Sequence, residues 1–260
     1  MAQLQTAQTI SLPFTEMGKG KSAPLVFLHG FGGDKATWSN LQIGLEHHRH
    51  TIAFDLPGHG AALNHPQSGS AGKSAKAVTA ALDELGLQNV HLIGHSMGGA
   101  VASLLALRSP ERFKSLTLLA PGGFGPEINT KLLRRYATAT SAEEQASLLE
   151  QFVGFGYDLP KNLAEHVAAN RARDGASEIL MHICDQITDG DRQGVLPRAD
   201  LGKLPIPMKV IWGTQDRVVP TRQCHKLPGP IACHVFDRVG HMVHMEIPRE
   251  VKRLVLENTR

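Results

Sequence analysis

The pentapeptide Gly94-His95-Ser96-Met97-Gly98 decides the fold of this chain. It lies between the apolar run Val90-His91-Leu92-Ile93 and a stretch of small and apolar residues at 99–107, which predicts a strand, a tight turn and a helix. In that context G-x-S-x-G forms a nucleophile elbow, in which the serine takes a strained backbone conformation and its neighbours must be small. The hydroxyl of Ser96 then lies at the N-terminal end of a helix, whose dipole favours negative charge. We therefore predict that Ser96 is a nucleophile.

A nucleophilic serine needs a base to remove its proton and an acid to orient that base. After a G-x-S-x-G elbow the acid and then the histidine follow in that chain order. Asp216 comes after the apolar run Met208–Gly213, and His241 comes after the apolar run 233–236, and both runs predict strands. Both residues lie just past the carboxyl end of a strand, where open α/β sheets place their sites. We predict a catalytic triad of Ser96, Asp216 and His241.

Three other residues compete for the roles of base and acid. His244 lies three residues beyond the predicted base, but Pro248 and the helix-like segment behind it place His244 on a descending connection. Glu127 is a second candidate acid, although it lies seven residues past the end of the preceding strand. Asp55 precedes the serine in the chain and therefore violates the expected order. We interpret Asp55 as the carboxylate that holds the turn Pro57-Gly58-His59-Gly60.

The oxyanion hole is predicted in the loop that follows an earlier strand, Leu25–Leu28. In this arrangement one backbone N–H of the loop acts together with the N–H of the residue after the nucleophile. Here those donors are Phe31, within His29-Gly30-Phe31-Gly32-Gly33, and Met97. A backbone donor aimed at the forming oxyanion contributes about 3–4 kcal/mol. A phosphate-binding loop is the rival interpretation, but the G-x-x-x-x-G-K-[ST] pattern is missing, so no nucleotide site is expected.

Composition and charge favour a soluble enzyme of the cytoplasm. The 27 basic and 24 acidic residues give a net charge of +3 without a long run of one sign, which argues against nucleic-acid or membrane binding. Residues 1–9 are polar, so neither a signal peptide nor an anchor is expected there. The three cysteines are too few and too far apart for a disulfide framework. The 14 histidines include 47, 48 and 50, but without accompanying cysteines or carboxylates they predict no metal site.

The first 120 or so residues alternate between predicted strands and helices, which indicates a mostly parallel sheet flanked by helices. Helices are predicted at 36–47, 72–85 and Met97–Arg108, with Asp34 as the cap of the first. Residues 122–196 instead show helical periodicity throughout, and Ser141-x-x-Glu144 resembles a capping box. We predict an α/β core made of 1–121 and 197–260, with a helical insertion at 122–196.

Six motifs carry a resemblance to a known family. They occur in order along essentially the whole chain: HGFGG, FDLPGHG, GHSMGG, SPERF, WGTQDRVVP and GHMVHMEIP. The chain resembles the α/β-hydrolase fold enzymes, whose helical cap, or lid, follows the sixth strand and covers the acyl pocket. A narrower similarity, carried by HGFGGDKATW and APGGFGPEIN, is to the hydrolase-like domain of acetoin dehydrogenase dihydrolipoyl acetyltransferase components.

The resemblance implies a serine hydrolase that needs no cofactor and forms an acyl-enzyme on small to medium apolar esters, thioesters or lactones. Two alternatives stay open: a carbon–carbon bond hydrolase of ring-cleavage products and an acyltransferase component of an acetoin dehydrogenase-type complex. Ring-cleavage hydrolases usually have a tryptophan shortly after the catalytic histidine, where this chain has Met242 and Val243. Asp34-Lys35-Ala36 matches the lipoylation tripeptide but directly follows the oxyanion loop, so we expect no lipoyl group on Lys35. The expected partner is a small ester-like substrate.

Overall fold

Parallel strands form the centre of the computed structural model, which describes residues 11–20 and 22–260. The strands of the described residues are β1 (Phe14–Met17), β2 (Leu25–Leu28), β3 (Thr51–Phe54), β4 (Val90–His95), β5 (Phe113–Leu119), β6 (Thr188–Asp189), β7 (Arg192–Gln193), β8 (Met208–Gly213) and β9 (Ile231–Phe236). Seven of them form one sheet in the order β1-β3-β2-β4-β5-β8-β9, and β6 and β7 form a separate antiparallel hairpin. Only β1 runs antiparallel to its neighbour in the large sheet.

The strand that leads to Ser96 lies in the middle of this sheet. β4 pairs with β2 on one side and β5 on the other, so that Ile93 lies opposite Phe27 and Thr117. Every residue of β2, β3 and β4 is buried, as expected for strands that are covered on both faces by helices. Ser96 therefore follows a fully buried strand at the centre of the sheet.

The helices connect the strands and cover the sheet. In chain order they are α1 (Ser39–Leu45), α2 (Ala71–Glu84), α3 (Met97–Arg108), α4 (Thr130–Thr138), α5 (Ala142–Leu149), α6 (Leu163–Arg171), α7 (Ala176–Ile187), α8 (Arg198–Leu201), α9 (Val243–Glu246) and α10 (Pro248–Asn258). α2 packs against α3, and α1 packs against α10. The predicted helix at 36–47 is wrong in its first turn, which is a 3-10 turn at Lys35–Trp38; Asp34 caps it by accepting the N–H of Ala36 at 2.8 Å.

The surplus chain between β5 and β8 contains α4 to α7 and the β6–β7 hairpin, and we call α4 to α7 the inserted helices. These helices follow β5, which is the fifth strand among the described residues. The predicted position after the sixth strand uses the strand numbering of the family. α5 begins where the capping box predicts, since the Ser141 hydroxyl accepts the N–H of Glu144 at 3.2 Å. Among residues 11–20 and 22–260, no helix combines the length and the apolar character needed to cross a bilayer.

Candidate active site

Ser96 occupies a strained turn between β4 and α3. Its backbone has φ 51° and ψ −117°, a conformation that a residue with a side chain rarely adopts. The turn closes only because its flanking residues lack side chains: a Cβ added to Gly94 would lie 2.4 Å from the carbonyl oxygen of Gly98, and one added to Gly98 would lie 2.2 Å from that of Leu28. The strand, turn and helix predicted around Ser96 are thus all present.

Asp216 and His241 form a buried pair. The Nδ1 of His241 lies 2.8 Å from Oδ2 of Asp216, and the two side chains are 2% and 0% exposed. Asp216 Oδ2 also accepts the indole N–H of Trp212 at 3.0 Å, while Oδ1 accepts the N–H groups of Val218 and Val219 at 2.8 and 3.0 Å. Four donors around one carboxyl group suit the ionised form, which only accepts hydrogen bonds. With the Nδ1 proton held by Asp216, the Nε2 of His241 is free to accept a proton.

The backbone of His241 is fixed at both ends of the residue. Its N–H donates to the carbonyl of Phe152 at 2.7 Å, and its carbonyl accepts from Nε2 of His95 at 3.0 Å. Burial is the main reason that the pKa of His95 lies well below its usual range, and the neighbouring His244 and His241 lower it further. His95 is therefore a neutral donor that joins β4 to the loop that carries His241, and we call this loop the histidine loop.

A short segment after α5, residues 150–157, bonds to both loops that carry Asp216 and His241, and we call it the strap. Phe152 accepts from the histidine loop as above, and the Arg217 guanidinium donates to the carbonyl of Val153 at 2.7 Å and to that of Glu150. The N–H of Phe155 donates to Gln215 Oε1 at 2.6 Å, and the hydroxyl of Tyr157 donates to the carbonyl of Met245 at 3.0 Å. The segment between α5 and α6 is thus attached directly to the loops that carry Asp216 and His241.

Phe31 and Met97, the predicted oxyanion donors, both lie beside Ser96. Phe31 and Ser96 line two cavities together, and Met97 lines one of them. Within the described residues, neither backbone N–H donates to another protein group, so both are available to a ligand. The loop that carries Phe31 is held by His29, whose Nδ1 bonds to the carbonyl of Gly30 at 2.8 Å and whose Nε2 accepts the N–H of Leu56 at 2.9 Å.

The same loop is also bound to α6. Arg171, nearly fully buried, donates to the carbonyl of Gly32 at 2.8 Å and to that of Tyr136 at 3.2 Å. Asp34 accepts from His166 at 2.6 Å and from Asn170 at 2.8 Å. These contacts fix the oxyanion loop against the inserted helices.

The residues that competed for the triad roles have other partners. His244 is buried, and its Nε2 lies 3.0 Å from the Thr37 hydroxyl; burial and the nearby His241 lower the pKa of His244 to about 3. Glu127 lies at the surface, where Arg222 donates to it twice. Asp55 accepts the N–H of Lys35 at 2.8 Å and that of Ala61 at 2.9 Å, and so holds the turn that it was predicted to hold.

Ser96 lies between two cavities, a small one on the side of His241 and a larger one on the side of the β6–β7 hairpin. The histidine-side cavity has a volume of about 30 Å³ and is lined by Thr37, Leu133, Tyr136, Leu149, Phe152 and Met242, together with Ser96 and His241. The hairpin-side cavity has a volume of about 280 Å³ and is lined by Met97, Ala100, Gly122, Ile128, Ile187 and Leu196, together with Ser96. Both walls are mainly apolar, so the site suits apolar groups on either side of the serine.

Sequence reasoning missed several groups that hold the site. Trp212, Phe152 and Glu246 contact the acid or the histidine loop, and Arg171 contacts the oxyanion loop. Trp212 and Glu246 lie within the motifs WGTQDRVVP and GHMVHMEIP, which is a signal that could have singled them out. Phe152 and Arg171 lie in the insertion and have no such signal. Across the described residues, no cluster of three or more His, Cys, Asp or Glu side chains could hold a metal ion.

Comparisons with known proteins identify the family to which this fold belongs. The model of the α/β hydrolase fold family matches residues 23–248. The dihydrolipoyllysine-residue acetyltransferase component of the acetoin cleaving system of Pseudomonas putida is 35% identical over 94% of this chain, and the chain spans 65% of that relative's length. The 2-hydroxy-6-oxononadienedioate/2-hydroxy-6-oxononatrienedioate hydrolase of Burkholderia vietnamiensis is 31% identical over 94% of this chain and 89% of the relative. The crystal structure of a membrane phospholipase A, a bacterial virulence factor, superposes with a TM-score of 0.81 at 28% identity over 96% of this chain and 83% of that chain. The elbow, the sheet order and the family match together show that this chain belongs to the α/β hydrolase fold family.

Proposed function

We propose that this protein is a serine hydrolase that cleaves small to medium apolar esters, thioesters or lactones through an acyl-enzyme, without a cofactor. The observation that carries the proposal is the buried Asp216–His241 pair, whose histidine lines the same apolar cavity as Ser96 in its strained elbow. A nucleophile, a base and an orienting acid are the groups that acyl transfer requires.

The proposed reaction has two steps. His241 Nε2 takes the Ser96 proton as Oγ attacks the carbonyl carbon, and the oxyanion is bound by the N–H groups of Phe31 and Met97. His241 then gives that proton to the leaving oxygen or sulfur as the bond to the acyl carbon breaks. Water attacks the acyl-enzyme in the second step, with His241 taking its proton and returning it to Ser96.

The two cavities suggest how a substrate lies in the site. The leaving group must be within reach of the proton on His241, so we place it in the histidine-side cavity. The acyl chain then occupies the hairpin-side cavity, beside the oxyanion donor Met97. We propose that 122–196 is the cap, because residues of this stretch, such as Leu133 and Leu196, line the cavities.

One observation of the structure argues against each of the two alternative functions. The Burkholderia vietnamiensis relative is named as a hydrolase of dienedioates, and a dicarboxylate needs cationic partners. Arg171 lies near the loop, yet its guanidinium is bonded to the carbonyls of Gly32 and Tyr136. An acetyltransferase role through lipoate on Lys35 would need a free amine, whereas the Lys35 ammonium is paired with the buried carboxylate of Asp55. Both observations favour ester hydrolysis.

A fluorophosphonate probe and a substrate panel test the proposal. The native protein should react with the probe, Ser96→Ala should not, and Ser147→Ala, on the exposed side of α5, should react like the native protein. The panel contains p-nitrophenyl esters of graded chain length, lactones, acyl-CoA thioesters and a ring-cleavage dienoate. Turnover of the dienoate alone would replace the proposal by carbon–carbon cleavage, and equal probe labelling of native protein and Ser96→Ala would remove Ser96 from the mechanism.

A further inference from the structure

A half-buried carboxylate that the proposed reaction does not use lies where the histidine loop meets the strap. Glu246 Oε2 accepts the N–H of Gly240 and that of Gly154, both at 2.8 Å. Gly240 directly precedes His241, and Gly154 comes two residues after Phe152, whose carbonyl accepts the N–H of His241. One oxygen atom therefore joins the two backbone segments that set the position of His241.

These two segments touch each other directly at this point. A Cβ added to Gly240 would lie 2.3 Å from the carbonyl carbon of Val153 and 2.4 Å from the nitrogen of Gly154. No side chain of either segment separates them, so their separation is set by the backbone contact and by the carboxylate that bridges them. Removing that carboxylate leaves two buried N–H groups without an acceptor, which is unfavourable for each of them.

Glu246 also places an ionisable group against the backbone of Gly240, the residue next to His241. Burial raises the pKa of Glu246 above its usual range, and the N–H groups of Gly240 and Gly154 oppose that shift, with a further attraction to His241. Its other oxygen, Oε1, is buried without a hydrogen-bond partner among the described residues. The ionisable groups around His241 are Asp216, His95, His244 and Glu246, and burial lowers the pKa values of both of the other histidines.

We infer that Glu246 is a positioning residue for His241: it holds the histidine loop against the strap, and its negative charge stabilises the imidazolium that forms during proton transfer. The inference rests on the proposed role of His241 as the base. Glu246 then has two separable effects, because a glutamine at this position could keep the backbone contact but not the charge.

Two variants separate these effects. Glu246→Gln keeps an acceptor oxygen and removes the charge, while Glu246→Ala removes both. Glu143→Gln, on the exposed face of α5, is the matched control for the same chemical change. Each protein is studied in two ways: kcat and KM for p-nitrophenyl butyrate against pH, and NMR titration of the His241 imidazole, which does not require turnover.

In Glu246→Gln the His241 titration midpoint should move to lower pH, because a lost negative charge disfavours the imidazolium, and KM should stay near the native value. In Glu246→Ala we expect kcat to fall about tenfold or more, since a small displacement of the base is enough for such a loss. A native midpoint in Glu246→Gln, with native kcat in both variants, would overturn the inference. If Glu246→Ala does not fold, Glu246→Gln decides alone. If the native protein cleaves no ester, the proposed function fails, while the NMR titration still decides the role of Glu246.

Discussion

Replacing Asp216 by asparagine tests the assignment of the acid most directly, because the structure determines how the amide must lie. With its oxygen toward His241, the new NH₂ would face the N–H groups of Val218 and Val219, and two buried donors would lose their acceptor. With its oxygen toward the valines, the NH₂ faces the indole of Trp212, which keeps its second acceptor, the carbonyl of Val219, at 3.1 Å. The second orientation is therefore favoured.

In that orientation His241 can keep a hydrogen bond only by accepting one at Nδ1, which moves its proton to Nε2. The imidazole can then no longer take the proton of Ser96, and loss of the correct tautomer lowers kcat by about 10⁴-fold in serine hydrolases. That factor corresponds to about 5.5 kcal/mol of transition-state stabilisation. The loss of one hydrogen bond to a charged group should lower the free energy of unfolding by only about 1.5–3 kcal/mol.

The assay is steady-state hydrolysis of p-nitrophenyl butyrate, with urea unfolding to compare the stabilities. KM should stay close to native, because Asp216 lines neither cavity next to Ser96. Glu127→Gln removes the competing carboxylate and should leave kcat unchanged. The reasoning is refuted if Asp216→Asn keeps more than about a tenth of the native kcat, or if Glu127→Gln loses as much activity as Asp216→Asn.

Three further outcomes follow from the site. His244 is neutral in the folded protein, where its pKa is about 3, whereas its pKa in the unfolded chain is about 6.5. The free energy of unfolding should therefore be highest above pH 6.5 and should decrease as the pH falls toward 3. Urea midpoints measured across this range should decrease less steeply in His244→Gln. Each methylene of the acyl chain that is buried in the hairpin-side cavity should raise kcat/KM about fourfold until the cavity is full. Ile187→Phe fills part of this cavity and should move the optimum to shorter acyl chains. An unchanged optimum would show that the acyl chain does not occupy this cavity. Activity should survive EDTA and dialysis, and intact-mass detection of lipoate on Lys35 in cells with active lipoylation would instead support the acyltransferase alternative.

The elbow could be predicted from sequence because every part of it is local. Strand, turn and helix follow one another within residues 90–108, and the strained residue is marked by glycines two positions away on each side. Asp216 and His241 could be placed because both follow apolar strands, and the carboxyl ends of parallel strands meet at one edge of a sheet. Their 2.8 Å contact agrees with that expectation.

The groups that hold those side chains could not be predicted in the same way. The bond from His241 to Phe152 joins residues on different elements that are far apart in the chain, and periodicity describes only residues that are near in sequence. Arg171 is similar: a basic residue at the end of a helix predicts a solvated side chain, yet this one is buried against the oxyanion loop. The 3-10 turn at Lys35–Trp38, where a helix was predicted, also involves a distant residue: Asp34 binds the N–H of Ala36, but Asp55, 20 residues along the chain, binds that of Lys35.

The strap has a consequence for recombination between relatives of this protein. Because 150–157 supplies acceptors to the loops of both Asp216 and His241, it supports these loops directly although it lies within the proposed cap. A chimera that exchanged all of 122–196 would replace both the walls of the cavities and the segment that accepts the His241 N–H. Substrate preference and the position of His241 would then change at the same time. Crossover points on either side of the strap would keep the proton-transfer geometry constant while the rest of the insertion varies. The exchangeable part is therefore two separate pieces, 122–149 and 158–196. A library of chimeras built on these two pieces would vary the substrate preference while the backbone contact that positions His241 is kept.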